Sequence, residues 1–195
     1  MEGSLTHLAE IIGYPGIAAM VFAETGVFFG FLFPGTSLLF TAGLLSSQGV
    51  FNPWILIPLV TIAAILGDSA GYWFGSKVGV RLFLRPDARF FKHAYVEQAK
   101  DFYDKHGAMA IFLARFLPIV RTFAPMVAGV VKMRYESFLF YNILGALGWA
   151  SGVTFIGYYL GAKFPFVGHY FTPIVLVIII VSSAPIIYHA LKKNK

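Results

Sequence analysis

"ARFLPIVRTFAP", Ala114 to Pro125, decides how this chain is read. Two arginines and two prolines stand inside a run that otherwise has the composition of a membrane core. An arginine at mid-bilayer costs at least ~2.5–3.5 kcal/mol on insertion scales. A proline inside a helix costs about 3 kcal/mol through a lost hydrogen bond and a steric clash. A plain spanning helix does not carry both penalties twice in so short a stretch.

The surroundings of that stretch establish the class. The 195 residues are 58% apolar and 12% charged, with 21 Phe and 10 Tyr, and the mean hydropathy is +0.75. A soluble domain carries roughly 25% charged residues, so too little polar surface is left for water. The chain reads as an all-α integral membrane protein, with apolar runs long enough for several spans of about 20 residues. It has no cysteine, which excludes disulfides and thiolate-bound metals. His7, His93, His106, His169 and His189 are scattered and form no i, i+4 ligand pair, so neither a metal nor another cofactor is expected. The N-terminal "MEGSLTHLAE" lacks the basic region and cleavage motif of a signal peptide. The formal charge of +6 is read as a record of membrane orientation rather than of nucleic-acid binding.

Apolar segments run from about Leu8 to Phe22, Glu24 to Leu45, Trp54 to Val80, Gly107 to Val131, Phe138 to Ala162 and Tyr170 to Leu191. Residues 81–106 hold the main charged region. Within it Phe91, Tyr95, Ala99, Phe102 and His106 recur at helical spacing, which fits an amphipathic helix at the cytoplasmic surface.

An internal repeat emerges at an offset of 86 residues. "AG" at Ala42-Gly43 falls on Ala128-Gly129, and "GYWFGSK" (Gly71–Lys77) falls on "GYYLGAK" (Gly157–Lys163). With a slip of two residues, Phe33-Pro34 meets Leu117-Pro118. The repeats cover about 24–80 and 107–162, each a proline-broken segment followed by a glycine-rich span. If each broken segment re-enters, both termini, residues 81–106, Lys132, Arg134 and the tail "KKNK" all lie on the cytoplasmic face. The positive-inside rule favours that arrangement. The expected fold is four transmembrane helices and two facing re-entrant hairpins in an inverted repeat, with 170–191 as the last span. Gly67, Gly71, Gly75 and Gly79, with Gly145, Gly157 and Gly161 in the second copy, are read as helix-packing positions.

Re-entrant backbone survives in lipid only when buried in protein or facing a polar cavity. Pro34, Gly35, Thr36 and Ser37 are expected to turn the first hairpin, and Pro118 with Pro125 to shape the second. Arg115 and Arg121 would then project into the cavity, where a planar guanidinium suits phosphate. Glu24 is the first candidate countercharge and Asp68 the second. Trp54, Trp73 and Trp149 read as interfacial or packing residues.

The elements "FPGTSLLFTAG", "GD" at Gly67-Asp68 followed by "GYWFG", "FYDKHG" at Phe102–Gly107 and "ARFLPIVRTFAPMVAG" resemble the DedA family, also described as SNARE-associated or VTT-domain proteins. The resemblance runs from about Tyr14 to Gly161. It implies a bacterial inner-membrane protein with two facing hairpins, and members implicated in moving lipids between leaflets. Some recycle undecaprenyl phosphate; others act on phosphatidylethanolamine. The family's acid in the first hairpin matches Glu24, and its paired arginines match Arg115 and Arg121. Many members read "PGDS" where this chain has Pro34-Gly35-Thr36-Ser37, so a coupling scheme that needs both acids does not transfer directly.

The expected function is therefore lipid transport and not catalysis. The best candidate cargo is undecaprenyl phosphate, carried from the outer to the inner leaflet, with protons as the candidate coupling ion at Glu24. Phosphatidylethanolamine scrambling is the alternative cargo. A membrane lipid phosphatase is the rival of another class, disfavoured because no histidine lies in either hairpin and His106 sits just outside the second.

Overall fold

The computed structural model describes residues 2–26, 35–79, 107, 109–115 and 118–164. Among these the chain is helical, without strands. Helix α1 spans Glu2–Gly26, α2 Gly35–Ser47, α3 Pro53–Phe74, α4 Met109–Ala114, α5 Pro118–Val130, α6 Tyr135–Ala146 and α7 Gly152–Lys163. A wide π-helical segment, Gly75–Gly79, extends α3, and a second, Leu147–Ser151, joins α6 to α7. Pro34, the amphipathic segment 81–106 and the expected span 170–191 lie outside the described residues.

Local chemistry accounts for the helix boundaries. Pro53 opens α3 at the position where a missing N–H costs nothing, and Asn52 Oδ1 caps the start by accepting from Trp54 N at 2.9 Å. Helices α2 and α5 end in the same way. Gly49 (φ 82°) follows α2, with Val50 N donating to Leu45 O and Gly49 N to Ser46 O. Lys132 (φ 55°) follows α5, with Met133 N donating to Ala128 O and Lys132 N to Gly129 O. Both are Schellman caps, one on glycine and one on a residue with a Cβ.

Among the described residues, two stretches are long and apolar enough to cross a membrane: Pro53–Val78 and Tyr135–Lys163. Each turns large apolar residues outward, including Trp54, Ile62, Leu66 and Trp73 on the first and Phe140, Leu144, Leu147 and Phe155 on the second. Water disfavours such continuous apolar faces; lipid does not. The sequence places a boundary between a first span ending near Phe22 and a broken segment beginning at Glu24. The structure differs here. Nothing between Phe22 and Thr25 breaks a helix, and α1 runs unbroken through Glu24 to Gly26.

The chain divides into two compact units. One comprises residues 1–21, 32–61 and 150–195; the other comprises 22–31 and 62–149. Each unit therefore draws on both sequence repeats. In the first, α2 packs along α7, and Thr61 Oγ1 and Ser151 Oγ share a hydrogen bond of 2.7 Å. In the second, α5 packs against the π-helical end of α3, and α4 against α5 and α6. Its core gathers Ile111, Ala128 and Phe138, with Tyr72, Met133 and Tyr141 around them. The Tyr72 hydroxyl donates to Met133 O, and its ring lies 4.7 Å from that of Phe138.

Two glycines that the sequence offset relates are packed in comparable ways. Gly43 of α2 lies against the backbone of Thr154 and Tyr158. Gly129 of α5 lies against the backbone of Tyr72 and Ser76. An offset of 86 residues carries Gly43 onto Gly129, and the same offset in reverse carries Tyr158 onto Tyr72. A Cβ at either glycine would run into main chain, so these contacts require the residue that has none.

Candidate functional site

Every charged residue singled out in the hydrophobic segments falls in the second unit. Glu24 stands on the last turn of α1. Thr25 beside it places its hydroxyl 3.3 Å from Phe22 O and 3.4 Å from Ala64 O, against α3. Gly26 and Gly67 then meet nearly backbone to backbone. This brings the end of α1 beside the turn of α3 that carries Asp68. Arg115 occupies the turn after α4, and Arg121 lies one helical turn into α5.

The arginines divide the acids between them. Arg115 Nη2 donates to Asp68 Oδ2, and Arg121 Nη2 donates to Glu24 Oε1. Glu24, Asp68 and Arg115 are all buried, at 2%, 4% and 5% exposure. The Arg121 side chain is more open, at 16%. In a low-dielectric setting, removing either member of such a pair leaves an uncompensated buried charge.

Two residues that drew no functional notice in the sequence complete the cluster. Asn142 on α6 is fully buried; its Oδ1 accepts from Arg115 Nη2 and its Nδ2 donates to Ile65 O at 3.1 Å. The π turn Leu147–Ser151 carries Trp149, whose ring lies 4.5 Å from the guanidinium carbon of Arg121. Wide helical turns of this kind recur at functional sites because they re-aim a side chain. Asn142, Gly145 and Trp149 are spaced by three and four residues and share one helix face. An isolated amide in an apolar run was the signal available for Asn142. Trp149 offered none beyond its type.

Gly145 fits into this arrangement through the space it leaves. A Cβ there would sit 2.6 Å from Arg115 Cδ and 3.1 Å from its Nε, so the arginine stem crosses α6 at this point. Arg115 Nε has no hydrogen-bond partner among the described residues.

Glu24, Thr25, Asp68, Arg115, Arg121 and Trp149 together line a narrow cleft of about 10 Å³, room for a water-sized group. Its charges sum to zero in pairs. An incoming oxyanion can compete with a carboxylate for a guanidinium, and an incoming cation can compete for the acid it releases.

The remaining expected site residues are placed differently. Gly35, Thr36 and Ser37 form the first turn of α2, in the first unit, with Gly35 and Ser37 buried and Thr36 exposed. Pro118 is the first residue of α5. Pro125, expected to shape a turn, instead lies inside α5. Its ring packs near Gly71, where a Cβ would stand 3.4 Å from Pro125 Cβ. A proline there removes only one helical donor, toward Arg121 O, and the neighbouring helix holds the segment in place.

Comparison with known proteins adds a family. The VTT domain matches residues 17–159. Protein DedA of Escherichia coli (strain K12) is 41% identical over 187 residues, covering 92% of this chain and 85% of that protein. An uncharacterized membrane protein of Mycobacterium tuberculosis (strain H37Rv) is 47% identical over 178 residues, covering 90% and 78%. One from Mycobacterium leprae (strain TN) is 45% identical over 171 residues, covering 88% and 76%. No solved structure matches.

Proposed function

This chain belongs to the VTT-domain (DedA) family, and we propose on that premise that it is a membrane lipid transporter whose cargo is undecaprenyl phosphate, returned from the outer to the inner leaflet. One observation carries the reading: two arginines and two acids, three of them buried, are held together and mutually neutralised beside a cleft among apolar helices. A structure with no ligand to bind has little use for four such charges, since apolar residues of similar volume are often as stable or more so. A phosphate monoester supplies what a guanidinium lacks when it leaves its acid, and the polyprenyl chain stays in lipid. Glu24, released from Arg121, is the acid placed to take up a proton.

The reading carries a topology with it: four spans and two re-entrant hairpins, both termini cytoplasmic, in a bacterial inner membrane. The two helices long enough to span and the break between α4 and α5 support it. Transport, rather than hydrolysis of the phosphate, is the activity proposed. Directional transport further requires that the two access states differ in affinity for the cargo.

Trp149 and the two carboxylates on the same cleft favour a second cargo, phosphatidylethanolamine, whose ammonium suits an aromatic face and an acid. The deciding experiment uses purified protein in phosphatidylcholine vesicles containing labelled undecaprenyl phosphate, with and without a proton gradient. Transbilayer movement is expected in the wild type and is lost in Arg115→Ala/Arg121→Ala. Movement of labelled phosphatidylethanolamine alone would select the second cargo, and equal movement in wild type and variant would refute the arginine site.

A further inference from the structure

We infer that the two arginines do different work: Arg121 is the arm that leaves its acid to take the phosphate, while Arg115 stays in a frame with Asp68 and Asn142 that positions the site. The inference rests on the phosphate-binding reading above and assigns roles within it.

The surroundings of the two side chains are unequal. Arg115 is held at both ends. Its guanidinium donates to two buried acceptors on two helices, Asp68 of α3 and Asn142 of α6. Asn142 is itself tied to α3 through Ile65 O at 3.1 Å. The stem passes over Gly145 with no room for a methyl group beneath it, and Nε faces that helix. Moving Arg115 toward a ligand would break two hydrogen bonds made to charge or by charge and would leave Asp68 and Asn142 buried around a void.

Arg121 is the more open of the two. Its side chain is about three times as exposed as that of Arg115. The ring of Trp149 at 4.5 Å offers a flat surface over which a guanidinium can slide without losing its cation–π attraction. A shift of this side chain exchanges one oxyanion, Glu24, for another, the phosphate, while Asp68 keeps its partner throughout. Only the Glu24 carboxylate then changes its neighbour during a cycle. The frame group has a positioning role: Asn142 and Asp68 act on the cargo through Arg115, which forms part of the cleft wall.

The test neutralises each pair as a pair, so that neither variant holds a lone buried charge. Glu24→Gln/Arg121→Gln and Asp68→Asn/Arg115→Gln are each reconstituted in phosphatidylcholine vesicles with labelled undecaprenyl phosphate. Initial rates are measured against lipid-phosphate concentration, and folding is checked by monodispersity and thermal unfolding. The first variant is expected to raise the half-saturating concentration by more than about thirtyfold, the second to lower the maximal rate while leaving that concentration within about threefold. The opposite split, or an equal loss of affinity in two folded variants, overturns the inference. A wild type that moves no phosphate lipid in the same vesicles overturns the functional reading instead.

A second measurement needs no variant. Wild-type protein is labelled with phenylglyoxal, an arginine-selective reagent, in the presence and absence of undecaprenyl phosphate, and the modified residues are located by mass spectrometry. Modification is expected at Arg121 and not at Arg115, with the lipid protecting Arg121. Equal modification of both arginines, or lipid protection of Arg115, would show that Arg115 is no frame residue.

Discussion

Asn142→Leu probes the frame with a side chain of the same branching and no polar atom. The wild-type amide is completely buried, accepts from Arg115 Nη2 and donates to Ile65 O. Leucine keeps the branching and deletes both bonds. A hydrogen bond to a charged donor contributes about 1.5–3 kcal/mol. A neutral bond between membrane helices averages about 0.6 kcal/mol. Ile65 O is not orphaned, because the Ser69 hydroxyl still donates to it at 2.8 Å. The expected loss is therefore roughly 2–3.5 kcal/mol, dominated by the arginine.

Equilibrium unfolding in mixed micelles reads this directly, and a double-mutant cycle isolates the cause. In an Asp68→Asn/Arg115→Gln background no charged donor remains, so Asn142→Leu should cost about 1 kcal/mol or less. By contrast Asp68→Asn alone, which strips Arg115 of its countercharge, should cost about 3–5 kcal/mol. A loss below about 0.5 kcal/mol for Asn142→Leu, or an equal loss in both backgrounds, would show that the Arg115–Asn142 bond does not hold the frame.

Three further outcomes follow from the same geometry. Trp149→Leu removes the aromatic surface under Arg121, worth about 1–2 kcal/mol when desolvated; because the ring attracts the guanidinium in both of its positions, the unfolding midpoint should fall while the half-saturating concentration of lipid phosphate stays within about threefold in the vesicle assay. Glu24→Gln should abolish any dependence of transport on a proton gradient while residual movement persists, since the one acid that changes partner can no longer titrate; unchanged gradient dependence would place the coupling elsewhere. Lys132→Gly replaces a residue with a Cβ at φ 55°; relief of the left-handed strain, less the added freedom of the unfolded chain, should stabilise the protein by about 0.5–1 kcal/mol, seen as a higher unfolding midpoint.

Misfit with lipid made part of this site legible in the sequence. Four charges in apolar segments had to be compensated, and Arg115, Arg121, Glu24 and Asp68 stand in one unit for that reason. Which acid meets which arginine was not legible, because that depends on where α1 touches α3, a matter of Gly26 meeting Gly67. Asn142 escaped notice because a lone amide disturbs hydropathy too little. Trp149 escaped because an aromatic residue in a membrane helix is ordinary until a wide turn aims it. The glycine spacing was read as packing without partners, and Pro125 was read as a turn former. The neighbouring contact at Gly71 shows why a proline can instead stay within a helix. For the long elements, apolar length sufficed: Pro53–Val78 and Tyr135–Lys163 fall where the runs Trp54–Val80 and Phe138–Ala162 predict.

The reciprocal contacts of Gly43 with Tyr158 and Gly129 with Tyr72 bear on the ancestry of the chain. Each half keeps its broken helix against the long helix of the other half, so neither repeat owns a complete core. A half-length ancestor with this packing would have folded only as two copies trading arms, and fusion of the genes would have turned that exchange between molecules into one within a single chain. Where one repeat carries Asp68 the other carries Thr154, so only one of the two positions that the offset relates bears a charge.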